Sequence, residues 1–134
     1  MNIVLDNNVL ISALWSANSK ATVIVNAVLS RNFSVCYDYR ILNEYYHILR
    51  QPKFTFTEWE IQSLLNFITA NGISVVADPL PDISFTDGSG KNFCKKFYEV
   101  AKFCNAALIT ESKKIFPQDS CVITVNDFHK KYFD

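Results

Sequence analysis

The sequence contains no run approaching the ~18 consecutive apolar residues that a membrane-spanning helix needs. It has no net charge, with 13 basic and 13 acidic side chains, so the overall basic signature of a tight duplex binder is missing. Three glycines (Gly72, Gly88 and Gly90) cannot make a GxGxxG dinucleotide turn. Four cysteines (Cys36, Cys94, Cys104 and Cys121) are scattered, with no CxxC pair. That excludes a zinc site of that spacing and the disulfide framework of a small secreted fold. The two histidines, His47 and His129, stand apart from each other and read as surface or hydrogen-bonded side chains. The first residues show neither a basic leader nor a small-residue cleavage site, so a reduced, cytoplasmic protein is expected.

What is present is apolar sequence in short, ordered blocks. Nearly half of the 134 residues are apolar, enough for one domain spanning 1–134 with a buried core. Ile3 to Leu5 reads as a strand buried on both faces. It stops at Asp6, and helical spacing resumes at once with Val9, Leu10, Ala13 and Leu14. Two roles fit this Asp6-Asn7-Asn8 junction. One is capping of the helix, for which Asp and Asn are favoured. The other is an acid presented at the carboxyl edge of a parallel sheet, where open α/β sheets bind ligands.

Ala21, Ile24, Val25, Val28 and Leu29 predict a second helix, and Phe33 to Cys36 a second strand, together a parallel crossover. Asp38 reads as the cap of a third helix with Ile41, Leu42, Tyr45, Ile48 and Leu49 inward and Pro52 as its stop. Glu44 borders that apolar stripe, where a charge needs a partner. Arg40, one turn earlier, and a metal ion are the two candidates. Thr57-Glu58-Trp59-Glu60 is a capping box that opens a fourth helix, which ends at Asn71-Gly72. Residues 73–76 predict a strand and 77–90 a long loop. A fifth helix follows, with Phe93, Phe97, Val100, Ala101 and Cys104 inward. Strands at 106–110 and 121–124 come next, then a terminal helix from Asn126-Asp127. Late lysines such as Lys91, Lys95, Lys96, Lys102, Lys113 and Lys114 read as a solvated face, with a local field for single-stranded nucleic acid as the alternative.

Asp6 and Glu44 therefore fall near one sheet edge, and Asp87 and Glu111 are further acids beside it. Asp78, Asp82 and Glu99 are secondary candidates. Converging carboxylates raise one another's pKa values unless a cation sits among them. Mg²⁺ and Mn²⁺ prefer oxygen ligands and serve phosphodiester hydrolysis, by acidifying water and neutralising the phosphate. A haloacid-dehalogenase-type phosphatase is disfavoured, because Asn8 occupies the position of its second aspartate.

Three ordered segments resemble PIN-domain proteins. Val4 to Leu14 resembles their first motif. Tyr37 to Tyr45, with Leu49 to Phe54, is similar to the second, in which a glutamate follows a helix cap. Lys96 to Lys102, with Ala107 to Thr110 and Phe116-Pro117, is similar to the third region. The resemblance runs nearly end to end, and its nearest branch is the VapC-type toxin of toxin–antitoxin pairs. It implies an α/β, three-layer PIN-like fold with a central, mostly parallel sheet flanked by helices. It also implies a Mg²⁺- or Mn²⁺-dependent ribonuclease acting on single-stranded or structured RNA, an antitoxin protein as partner, and a homodimer. Asp6 falls on the family's first acid and Glu44 on its second.

The third acid is where the chain departs. Cys94 stands at the aspartate position, Lys91 three residues before it, and Glu111-Ser112 where Gly is followed by Asp or Asn; Asn7 replaces a threonine. A thiol is too soft to replace a carboxylate on Mg²⁺. The expected metal ligands are thus Asp6, Glu44 and Asp87, with Glu111 as a further catalytic acid. The alternative is a catalytically degenerate PIN module that binds a partner protein or RNA without cleaving.

Overall fold

The computed structural model describes residues 1–30, 32–80 and 94–134. Five strands, β1 (Asn2–Leu5), β2 (Ser34–Tyr37), β3 (Ile73–Ser74), β4 (Ala107–Thr110) and β5 (Val122–Thr124), form one sheet in the order β3-β2-β1-β4-β5. Every pairing is parallel. Ile3, Val4, Leu5, Leu108 and Ile109 are all buried at consecutive positions, which requires cover on both faces of the sheet. The α/β three-layer architecture expected from the sequence is the one observed.

Among the described residues, six helices supply that cover: α1 (Asn7–Trp15), α2 (Lys20–Leu29), α3 (Tyr39–Ile48), α4 (Glu58–Asn71), α5 (Lys95–Phe103) and α6 (Val125–Phe133). Five begin at a side-chain cap, which satisfies an otherwise orphaned backbone N–H. These caps are Asp6, Ser19, Asp38, Thr57 and Thr124. Thr57 and Glu60 complete the capping box. At the Asp6-Asn7-Asn8 junction the cap is Asp6, and Asn7 and Asn8 lie inside α1. One local expectation changes. The last helix starts at Val125, because the Thr124 hydroxyl accepts from the Asp127 N–H at 3.1 Å. Short 3-10 turns at Pro52–Phe54 and Lys113–Ile115 carry no periodicity to betray them. Phe93, expected on the inner face of α5, lies outside the described residues.

Gly72 ends α4 where no side chain fits: a Cβ there would stand 2.5 Å from the Ile68 carbonyl oxygen and 2.6 Å from that of Val35. Asn105 ends α5 in the left-handed region, which Asn tolerates, and the Ala106 N–H returns to the Ala101 carbonyl at 2.9 Å. That turn delivers the chain into β4.

Candidate active site

From β1 the chain steps outward to β2 and β3, then returns to lay β4 on the other side of β1 and continues to β5. The direction reverses between β1 and β4, where diverging connections leave a crevice at the carboxyl ends of the strands. Asp6 follows the last residue of β1, and Thr110 is the last residue of β4.

Asp6 is buried, at 3% exposure, and uses both oxygens. Oδ1 accepts the Asn7 backbone N–H at 2.8 Å, and Oδ2 accepts the Thr110 hydroxyl at 2.7 Å. The capping role and the site role therefore coexist in one side chain. Burial pushes the Asp6 carboxyl up from its ordinary range. The Thr110 and Asn7 hydrogen bonds oppose that rise, the Glu44 charge adds to it, and the Lys96 charge opposes it. A cation beside Asp6 would relieve this cost.

Glu44 arrives from the second turn of α3. Its Oε2 accepts the Asn7 side-chain amide, and its Oε1 lies 2.5 Å from Lys96 Nζ. Tyr45, the next residue, is wholly buried and donates its hydroxyl to the Leu5 carbonyl, tying α3 to the end of β1. Arg40 is not the partner of Glu44. It bridges two buried carboxylates instead, at 2.8 Å from Nε to Asp38 Oδ2 and 2.9 Å from Nη1 to Glu99 Oε1. The other Glu99 oxygen accepts the Leu80 N–H at 2.7 Å. Asp38 and Glu99 are thus spent on an ion network that ties the start of α3 to α5.

The expected acids separate as follows. The fold brings Asp6 and Glu44 together around Asn7. Glu111 lies exposed after β4, where its carboxylate accepts the Ser12 hydroxyl at 3.1 and 3.2 Å. Asp87 lies outside the described residues, as do Asp82 and Lys91. Among the described residues, no group of three or more His, Cys, Asp or Glu side chains is placed to hold a metal. Sequence reasoning did not single out Asn7, Lys96 or Thr110 as members of the site. Thr110 carried a signal, being a polar residue that ends an otherwise apolar strand. Lys96 carried none.

The donor chemistry fits one hard cation. Asp6 and Glu44 offer carboxylate oxygens, and Asn7 adds a third oxygen. Its Nδ2 must face the acceptor-only Glu44, which leaves Oδ1 buried and, among the described residues, without a hydrogen-bond partner. An orphaned buried oxygen costs free energy unless something binds it. Mg²⁺ keeps several waters and needs only one or two protein carboxylates.

A parallel sheet that presents paired carboxylates at its switch point defines the class: an α/β protein with an acidic crevice at the carboxyl edge of its sheet. The PIN domain family model matches residues 2–109, from β1 through most of β4, and the chain belongs to the PIN domain family. PIN domains are in general divalent-metal-dependent nucleases acting on RNA. No curated protein and no solved structure matches the chain. No helix among the described residues is long and apolar enough to cross a membrane.

Proposed function

We propose that the chain is a Mg²⁺- or Mn²⁺-dependent RNA endonuclease in which Asp6 and Glu44 hold the cation. One observation carries this reading: two carboxylates 38 positions apart in sequence meet at the switch point beside the orphaned Asn7 Oδ1. Asp6, fixed by Thr110 and the first turn of α1, anchors the cation. Glu44, 26% exposed, orients the attacking water. Asp87 adds a ligand from the connection before α5, and Glu111 serves as the outer acid. A bound divalent cation supplies charge neutralisation at the phosphate and acidifies water.

Engagement of both Glu44 oxygens by Lys96 and Asn7 favours a second reading, a PIN module that binds RNA or protein without cleaving. Cleavage of single-stranded RNA with Mg²⁺ or Mn²⁺ separates the two. Wild type should cut, and Asp6→Asn should lose at least ~100-fold, the scale expected when a catalytic charge is removed. Inert wild type with either metal, or an equally active Asp6→Asn, sinks the nuclease reading.

The resemblance to VapC-type toxins supports a narrower role: the toxin of a toxin–antitoxin pair, held by an antitoxin protein and acting as a homodimer in the cytoplasm. Exposed Trp15, Tyr39, Tyr46 and Trp59 are aromatic surface of the kind enriched at interfaces. Expression in a host cell should arrest growth, and Asp6→Asn should relieve the arrest. Arrest that persists in the variant removes the toxin assignment.

A further inference from the structure

Glu44 meets a cation that the chain itself supplies. Lys96 Nζ stands 2.5 Å from Glu44 Oε1, and its side chain is 14% exposed against 26% for the glutamate. Core packing sets this pair. Tyr45 and Phe97, the next residues along the two helices, are both wholly buried, with ring centroids 6.3 Å apart. Any approach of α3 to α5 that joins these rings brings Glu44 and Lys96 together. The other Glu44 oxygen receives the neutral Asn7 amide, so among the described residues Lys96 supplies the positive charge at this carboxylate.

The charge balance has a consequence. The proposed ligands Asp6, Glu44 and Asp87 contribute three negative charges, and Lys96 returns one. A single divalent cation balances what remains. A second would leave an excess of positive charge beside an ammonium.

We propose that Lys96 is the built-in counterion of this site and stands in place of a second metal ion. The chain then binds one divalent cation, in competition with the Lys96 ammonium for Glu44. This rests on the reading of Asp6 and Glu44 as the cation-holding acids. Lys96 is a positioning residue here. It holds Glu44 in place, and an ammonium released from Glu44 has a phosphate oxygen of bound RNA as its natural acceptor.

Titration of the full chain with Mn²⁺, followed by calorimetry and by the electron-spin signal of free Mn²⁺, tests the competition without any turnover. Wild type should take one Mn²⁺. Lys96→Met and Lys96→Gln should each bind it at least tenfold more tightly, and Lys96→Arg should stay within about threefold of wild type. Two neutral variants are used so that a misfolded one, recognised by its circular dichroism, leaves the other to report. Two Mn²⁺ bound by wild type overturns the inference, as does unchanged or weaker affinity in the neutral variants; in both cases the proposed function stands. Absence of Mn²⁺ binding in wild type and both neutral variants overturns the inference and the metal-dependent reading together.

Discussion

Asp6 spends its two oxygens on two different parts of the chain. Oδ1 caps α1 and Oδ2 receives Thr110 from the far end of the sequence, so one carboxylate fixes the helix start against the end of β4. Thr110 is fully buried, and its oxygen also accepts the Ser112 N–H at 3.0 Å. Thr110→Val keeps the shape but strands a buried carboxylate oxygen and a backbone donor. It should cost about 1–3 kcal/mol, the range for unsatisfied buried polar groups, read as a lower urea midpoint. Thr110→Ser should recover most of the loss; a Val variant as stable as wild type would show that this hydrogen bond is not what holds Asp6.

Helix α5 is the element on which the site depends most, because it brings Lys96 to Glu44 and Glu99 to Arg40. Its outer side is tethered by Asp119, in the β4–β5 connection. The Asp119 carboxylate accepts the Cys121 N–H at 2.9 Å, the Tyr98 hydroxyl at 2.5 Å and Lys102 Nζ at 3.0 Å. Tyr98 and Lys102 are four residues apart and so share a face of α5. These partners, the Cys121 N–H foremost, hold the Asp119 carboxyl well below the usual carboxylate range. A depressed carboxyl pKa stabilises the fold above the ordinary value of 3.8 and loses that contribution as pH falls below it. Asp119→Asn should therefore cost about 1–3 kcal/mol at neutral pH. The gap between variant and wild type should narrow as the urea midpoint is followed down through about pH 4. A gap that stays constant with pH would mean that the tether does not depend on the charge of Asp119.

For the whole molecule, zero net charge removes long-range attraction to RNA, so a substrate must be held by local groups. Lys96 lies within the site. Lys113 and Lys114 are exposed just after β4, at the same carboxyl edge of the sheet. The proposed homodimer would cover apolar surface left open here, including Trp15, 61% exposed, and Trp59, 78% exposed. Trp15 already packs edge-on against Phe54 and Phe56, so the patch has a firm base. Light scattering should return twice the 15.3 kDa of one chain, and a monomer mass across the micromolar range would remove the dimer.

The elements were legible in the sequence because their signals are local. Alternating blocks of β-forming and helix-periodic residues, with Asp38, Thr57 and Gly72 as stops and starts, suffice to write the order of strands and helices. Asp6 and Glu44 stood out for the same reason: each is a charge set into or beside an apolar block. Whom they meet was not local. Glu44 pairs with Lys96 across 52 positions and leaves the nearby Arg40 to Asp38 and Glu99, because the packing of Tyr45 on Phe97 decides which helices approach. Thr110 reaches Asp6 only because β4 lies beside β1, a strand order set by long-range pairing and absent from any single segment. The sequence by itself determined the parts and the two acids. The tertiary structure decided that those acids share their site with a lysine, since charge pairing follows distance in space and not distance along the chain.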